Sequence, residues 1–211
     1  EEDKRNNIQK LKDFLESDKI LDYTQFDGNA QGFRVLTKLQ FLDDLCGLNL
    51  TYATLAATIK YPNAQGKEET PVHKHKHGIF TTEELYLKKI AEVCKMKKGD
   101  DYIRHPLSYL MEAADSICYM VMDVEDGCSK RSWLDFNVIQ QTFNDISEET
   151  KKLLPFLKPQ ESTLSGQRYK KAIVEMRTSL LAYFIDKTIG VYLSNIDKIE
   201  EGTYTGTDKI A

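Results

Sequence analysis

The sequence lacks the features that would place it in several large protein classes. Four cysteines in 211 residues, without a CxxC pair, do not make a disulfide framework, so we expect reduced thiols. No apolar run is long enough to cross a bilayer, since even Thr178–Val191 is interrupted by Asp186 and Lys187. The first residues, EEDKRNN, have no signal-peptide character. A cytoplasmic protein without a membrane association is the default expectation.

Familiar nucleotide-binding and catalytic motifs are also missing. The glycines form neither GxxxxGK[ST] nor GxGxxG, and there is no GxSxG or HExxH. A formal net charge of −4 gives no general attraction for nucleic acid. An enzyme built from this chain would therefore depend on carboxylates, a metal, and basic or aromatic contacts to its substrate.

Helical periodicity dominates what is present. Apolar residues recur at helical spacing in Asn6–Glu16, Phe33–Leu45, Leu50–Lys60, Thr81–Cys94, Leu107–Asp126, Trp133–Phe143 and Gln167–Ile199. The helix boundaries are marked by Asn29, Thr51, Thr81 or Thr82, Pro62 and Pro106, with a bend expected at Gly190. No segment alternates with a period of two, so we predict an all-α chain.

The stretch Tyr61–Gly78 has no hydrophobic periodicity and is predicted to be a long loop, either functional or disordered. It contains three alternating histidines, His73, His75 and His77. This spacing fixes no metal geometry in a loop, and no cysteine or carboxylate completes a ligand set. A solvated basic loop and a phosphate contact are the alternatives. The phosphate contact is the sharper hypothesis because the stretch adjoins a basic cluster formed by Lys60, Lys67, Lys74 and Lys76.

The segment Leu107–Asp126 carries the most informative pattern. Asp115, Tyr119 and Asp123 are four residues apart and therefore share one sector of a helix. The helix is apolar on most sides, which predicts that it is buried and that its carboxylates are paired or bound to a metal. Alternatively, these acids occupy its one solvent-facing side or pair with Arg or Lys elsewhere. Asp115 alone cannot hold a catalytic metal, which takes three or more protein ligands.

Four blocks of the sequence resemble the deoxyguanosine-triphosphate triphosphohydrolase family of HD-domain phosphohydrolases. In family order they are FDGNAQGFRVLTKLQ at 26–40, LNLTYATLAATIKYP at 48–62, KHGIF at 76–80 and RHPLSYLMEAADSICYMVMDVEDG at 104–127. The resemblance implies a partial HD-domain-like helical bundle made from a single all-α region, 1–211. Within it, 1–127 would hold the active-site helices and 128–211 the peripheral C-terminal helices.

The resemblance also implies roles for the acid–tyrosine–acid pattern. Asp115 matches an aspartate that completes the family's divalent metal site, with Mg or Mn as candidate ions. Tyr119 matches an aromatic residue near the sugar, and Asp123 matches an acid that contacts the deoxyribose 3′-hydroxyl. The family often has a second acid where this chain has Ser116. That side chain points about 100° away from Asp115, so its loss should not remove the metal ligand.

Further contacts and the reaction are implied in the same way. Lys60 and Tyr61 match residues near the phosphates, and Asn29 matches an amide that contacts the substrate. The family is implied to hydrolyse dGTP or other dNTPs, with dGTP favoured, to a deoxynucleoside and tripolyphosphate. It would be a phosphoric ester hydrolase that forms a homo-oligomer, commonly a hexamer, with single-stranded DNA as a further candidate partner.

The family's other metal ligands, a His and a His-Asp pair, are absent from these 211 residues. We therefore expect the chain to be an internal fragment that is inactive alone. Two alternatives come from other classes of protein. One is a non-catalytic nucleotide-binding or helical interaction module, and the other is a purely structural helical bundle.

Overall fold

The computed structural model of the chain describes residues 2–24, 26, 28–40, 47–63, 78–129, 133–142, 154 and 166–204. The chain forms two compact units. Unit 1 is Glu1–Met111 with Asp197–Thr203, and unit 2 is Glu112–Ile196 with Tyr204–Ala211. Within the described residues the regular structure is helical apart from one short hairpin, which confirms the all-α prediction. The HD-domain assignment and the division at residue 127 stay predictions.

Unit 1 is built from short helices joined by irregular segments. Its α-helices are α1 (Glu2–Leu15), α2 (Leu21–Thr24), α3 (Gly28–Arg34), α4 (Tyr52–Thr58) and α5 (Glu84–Val93). Two 3-10 turns, Asp18–Ile20 and Thr81–Glu83, and a π-helical stretch, Val35–Leu39, extend them. Strands β1 (Lys97–Lys98) and β2 (Asp101–Tyr102) pair antiparallel, and Gly99 in their turn has a φ of +62°.

One apolar core joins α3, α4 and α5. Its buried residues are Phe33, Leu55, Ala56, Ile59, Ile79, Leu87, Ile90, Ala91 and Met96. Burying each large side chain contributes about 1.5 to 3 kcal/mol. The β-hairpin is attached to this core by a hydrogen bond from Ile103 N to Met96 O, 2.8 Å long. The Lys98 ammonium donates to the Glu201 carbonyl at 2.9 Å, which ties the returning segment Asp197–Thr203 to the hairpin.

The predicted helix ends of unit 1 were partly right. Thr51 caps α4 as expected, because its hydroxyl oxygen accepts from Thr54 N at 3.2 Å. Asn29 is not an N-cap, since α3 already begins at Gly28. Neither threonine caps the turn before α5. That role belongs to the Asp22 carboxylate, which accepts from the amide of Thr81 at 3.0 Å and from its hydroxyl at 2.6 Å.

Unit 2 is built from longer helices around a second apolar core. Helix α6 (Pro106–Ser129) begins in unit 1 and continues into unit 2, where α7 (Phe136–Thr142) and α8 (Gly166–Ser194) follow. The buried core residues are Ile117, Val121, Cys128, Phe136, Leu154, Ala172, Ile173, Met176 and Leu180. The predicted start of α6 at Pro106 is confirmed.

The long C-terminal helix is interrupted near its end. Helix α8 ends at Ser194 and α9 (Ile196–Glu200) follows, so the interruption lies at Asn195. Gly190 lies inside α8, and the bend expected there stays a prediction. The Asn195 side chain donates to the Val191 carbonyl at 2.9 Å, a local hydrogen bond that competes with the helix. The predicted helical residues 41–45 and 143 lie outside the described residues.

The expectations about thiols and membranes can be checked over the same ranges. Cys94, Cys118 and Cys128 are free thiols. Burial raises the pKa of the Cys94 thiol, and burial with the nearby Asp135 carboxylate raises the pKa of the Cys128 thiol. None of the helices in the described ranges is long and apolar enough to span a membrane.

Candidate functional site

Asn29 lies in the first turn of α3, the helix formed by the GNAQG motif. Its side chain is half-buried, while Ala30 and Phe33 on the same helix are buried in unit 1. An added Cβ on Gly28 or Gly32 would meet no atom within 4 Å, so crowding does not require glycine at either position. Asn29 is therefore at the margin of the core, on a helix whose position is fixed by the burial of Phe33.

Lys60 and Tyr61 follow the end of α4. The Tyr61 side chain is 4% exposed, and the Lys60 ammonium lies 5.5 Å from the centre of its ring, within the range of a cation–π contact. Lys60 is half-buried. Because the tyrosine ring is buried, it lies under the lysine ammonium. The phosphate contacts predicted for Lys60 and Tyr61 stay predictions.

The backbone beside Tyr61 is fixed by contacts with Gly78. The Asn63 carbonyl accepts hydrogen bonds from the amides of Gly78 and Ile79, at 3.1 and 3.2 Å, and the Asn63 amide donates to the Tyr61 carbonyl at 2.8 Å. A Cβ on Gly78 would collide with the Tyr61 carbonyl oxygen. Glycine is therefore required at position 78 by the close approach of the two backbone segments.

A buried ion pair lies in the same unit. Glu83 is 0% exposed, and its Oε1 accepts from Arg34 Nε and from Lys38 Nζ, each at 2.9 Å. Arg34 also donates from Nη2 to the Thr82 hydroxyl at 2.8 Å, and its guanidinium lies 3.9 Å from the centre of the Phe80 ring. A buried carboxylate is unfavourable unless it is paired, and here two cations offset that loss of hydration.

Sequence reasoning did not identify this ion pair, although the sequence holds a signal for it. Glu83 precedes Leu87 by four residues and Ile90 by seven, so it continues the buried side of α5. Arg34 and Lys38 are one helical turn apart and can reach the same partner. A charged residue that lies at helical spacing from the buried apolar residues of a helix indicates a buried ion pair.

The three predicted residues of unit 2 share one face of α6. Asp115, Tyr119 and Asp123 are all exposed, and Tyr119 is 68% exposed. The shared sector was predicted correctly from the spacing of four residues. Their face presents an aromatic ring with a carboxylate one turn before it and another one turn after it, an arrangement that could bind a sugar by packing and hydrogen bonding.

The expected burial of Asp115 was wrong, and the alternative of a solvent-facing side of α6 was right. Ala113, Ile117 and Val121 form the buried stripe of α6. Asp115 follows Ala113 by two residues. Two residues correspond to a rotation of about 200°, which places the carboxylate on the opposite side of the helix. The prediction counted apolar residues around the helix without fixing the phase of the buried stripe, and Met120 is in fact 45% exposed.

The predicted residues fall in both units. Asn29, Lys60 and Tyr61 belong to unit 1, whereas Asp115, Tyr119 and Asp123 belong to unit 2. The three histidines of the predicted loop, and the lysines beside them at positions 67, 74 and 76, lie outside the described residues. The substrate-binding roles of Asn29, Lys60, Tyr61, Tyr119 and Asp123 stay predictions.

The described residues do not fit a metal site by themselves. Over those ranges, no three or more His, Cys, Asp or Glu side chains come together in a way that could hold a metal ion. Asp123, on the same face as Asp115, is about 12 Å away along the helix axis, too far to share an ion. Asp115 as a metal ligand, and the divalent metal itself, stay predictions.

Curated relatives decide the family. The chain is 48% identical over 109 residues to a deoxyguanosinetriphosphate triphosphohydrolase-like protein of Pseudomonas aeruginosa, covering 50% of this chain and 25% of that protein. It is 33% identical over 188 residues to a protein of the same name from Listeria monocytogenes, covering 87% and 39%. The chain belongs to the deoxyguanosinetriphosphate triphosphohydrolase-like family. No family model matches it.

Membership in the deoxyguanosinetriphosphate triphosphohydrolase-like family confirms the resemblance drawn from the four sequence blocks. A relative named deoxyguanosinetriphosphate triphosphohydrolase, from Yersinia pestis, is 34% identical over 139 residues, covering 64% of this chain and 25% of that protein. Between 25% and 39% of the length of these relatives is matched. The family assignment therefore rests on part of each relative.

Proposed function

We propose that the whole protein hydrolyses dGTP or another dNTP to a deoxynucleoside and tripolyphosphate. The observation that carries this proposal is the exposed face of α6, on which Tyr119 lies between Asp115 and Asp123. This pattern belongs to the sequence block, 104–127, that most specifically resembles the triphosphohydrolase family. The names of the relatives support the same substrate class.

The chemistry of this face suits the sugar of a deoxynucleotide. An exposed tyrosine ring packs well against a sugar that lacks a 2′-hydroxyl, because the contact is apolar. A carboxylate one turn away accepts a hydrogen bond from a hydroxyl, and a charge-assisted bond of this kind is stronger than a neutral one. In our proposal Tyr119 makes the packing contact and Asp123 accepts from the 3′-hydroxyl.

Unit 1, taken by itself, holds the other residues that the family resemblance assigns to the substrate. Lys60 would balance negative charge on a phosphate, and the buried Tyr61 ring beneath it limits its motion. Asn29 would supply an amide that can both donate and accept. A divalent metal, with Asp115 as the ligand that this chain would contribute, remains part of the proposal, as do a hexameric assembly and a single-stranded DNA partner.

The test compares the whole protein with its variants, using chromatographic detection of tripolyphosphate from each dNTP. Asp123→Asn should weaken dGTP binding, raising KM roughly 10- to 100-fold, because a hydrogen bond to a charged acceptor contributes about 1.5 to 3 kcal/mol. Asp115→Asn should remove at least about 99% of the turnover, because our proposal makes this carboxylate a ligand of the metal that would act on the reacting phosphate. The 211-residue chain alone should release no tripolyphosphate.

Asp186→Asn is the matched control, since Asp186 is also an exposed carboxylate on a helix of unit 2. It should leave kcat and KM unchanged. Equal activity in the Asp115 variant, the Asp123 variant and this control would contradict the proposal for the α6 face. Saturable dGTP binding without product, seen with the whole protein, would favour the non-catalytic nucleotide-binding module instead.

A further inference from the structure

Arg34 connects α3 to the segment that leads into α5. It contacts the Glu83 carboxylate, the Thr82 hydroxyl and the face of the Phe80 ring, at 2.9, 2.8 and 3.9 Å. The planar guanidinium makes these contacts together because its donors form a fork while its face stacks on an aromatic ring. A lysine ammonium could replace the charge but not this geometry. The contacts therefore fix the orientation of α3 relative to residues 80–83 as well as its distance from them.

The same segment is bound to the residues that follow α4. Gly78 and Ile79, the two residues immediately before Phe80, donate their amides to the Asn63 carbonyl. Gly78 is also pressed against the Tyr61 carbonyl, where no side chain fits. The segment 78–83 thus holds α3 at one end, through Arg34, and the Tyr61 backbone at the other.

A buried ion pair contributes little to the free energy of folding, so stability alone does not explain Arg34 and Glu83. Replacing a buried ion pair by apolar residues of similar size is often neutral or stabilising, whereas directional bonds fix one arrangement of the packed elements. Within the described residues, Glu83 Oε2 has no hydrogen-bond partner. This observation favours a geometric role for the pair over a stabilising one.

We propose that Arg34 and Glu83 are positioning residues that hold Asn29 in a fixed relation to Lys60 and Tyr61. Asn29 lies on the helix that ends at Arg34, and Lys60 adjoins the backbone that segment 78–83 holds. The inference rests on the proposed function, because Asn29, Lys60 and Tyr61 are its predicted substrate contacts. Loosening the pair should weaken substrate binding more than it slows the chemical step.

The first test needs no substrate and uses the 211-residue chain. Amide hydrogen exchange is measured by NMR in the wild type and in Arg34→Lys, which keeps the charge but loses the fork. Exchange should become about tenfold faster both in the last turn of α3 and at the amides of Asn63, Gly78 and Ile79. Faster exchange in α3 alone would overturn the proposal, since the two segments would then not be coupled.

The control variant removes a solvent-exposed lysine–glutamate ion pair. Lys88 and Glu84 on α5 are 3.1 Å apart, and their side chains are 54% and 46% exposed. Lys88→Met should leave the exchange of Asn63, Gly78 and Ile79 unchanged, because exposed pairs contribute little. A change as large as that in Arg34→Lys would also overturn the proposal.

The second test separates positioning from stability in the whole protein. The double variant Arg34→Met with Glu83→Leu removes the buried carboxylate and the guanidinium and keeps similar side-chain volume. Lys38, whose side chain is 40% exposed, keeps its hydration, so the Tm should stay close to that of the wild type. Its KM for dGTP should rise about tenfold while kcat changes less than about twofold. A double variant with wild-type Tm and wild-type KM would overturn the positioning role.

The failure of the proposed function is distinguishable from the failure of this inference. If the wild-type whole protein releases no tripolyphosphate from any dNTP, the proposed function is wrong. The exchange measurement on Arg34→Lys and Lys88→Met then decides the positioning role by itself.

Discussion

Units 1 and 2 are held together in different ways. The buried charged side chains in the described part of the chain, Asp22, Glu83 and Arg104, all lie in unit 1. Unit 2 instead packs long helices around an apolar core that includes Phe136 and Met176, both 0% exposed. Short helices bury little surface each, so irregular segments between them need directional bonds to take one position. Long helices reach a defined packing by apolar contact alone.

The largest expected effect sharpens this comparison in unit 2. Phe136→Ala should lower the free energy of unfolding by about 3 to 5 kcal/mol, because it removes a fully buried ring and leaves a cavity. The measurement is urea unfolding followed by circular dichroism. Val138→Ala, on the same helix but 56% exposed, should change stability by less than about 0.5 kcal/mol. Similar losses in both variants would mean that the core is not organised around Phe136.

A smaller loss is expected where unit 1 depends on backbone contact. Gly78→Ala should lower the free energy of unfolding by about 1 to 3 kcal/mol, because its Cβ would collide with the Tyr61 carbonyl oxygen. Gly32→Ala, a helical position with no neighbour within 4 Å, should instead raise stability by up to about 1 kcal/mol. Urea unfolding of the two variants checks the contrast. Equal stability of both would remove the argument for a required glycine at position 78.

The smallest effect concerns pH and the start of α6. His105 Nδ1 accepts from the Leu107 amide at 3.2 Å, and burial lowers the pKa of this imidazole below its usual value. A lowered folded-state pKa means that the stabilisation is present above the ordinary histidine pKa and is lost as pH falls through the folded value. Tm should therefore fall on acidification through that range. The fall should be smaller in His105→Asn, which keeps an acceptor that does not titrate; equal falls would contradict the assignment.

The helices were predictable because their signals are local. The apolar spacing around Leu87 and Ile90 located α5, Thr51 marked the start of α4, and the family blocks agree with the relatives found. Which side of each helix is buried could not be predicted, because this depends on the elements that pack against the helix. The side of α6 that carries Asp115 is solvent-exposed because the packing contact is made by the opposite side, on which Ala113, Ile117 and Val121 are buried. Sequence alone gives the spacing of the residues along a helix but not which side of the helix faces the core.

Long-range polar contacts were beyond local reasoning for a related physical reason. Arg34 and Glu83 are 49 positions apart, so no helical or strand periodicity relates them. The Asp22 carboxylate likewise caps a turn 59 residues later, where nearby threonines were the expected caps. Such pairs depend on how segments pack, and packing follows from the whole set of apolar faces. The site residues themselves were proposed from the resemblance to the family, which depends on sequence blocks and not on packing.

The two hydrogen bonds on the Asn63 carbonyl have an evolutionary consequence. They join positions 63 and 78 through main-chain atoms, which any amino acid supplies. As far as these two bonds are concerned, position 63 is therefore open to substitution during evolution. Position 78 is not, because a Cβ there would collide with the Tyr61 carbonyl oxygen.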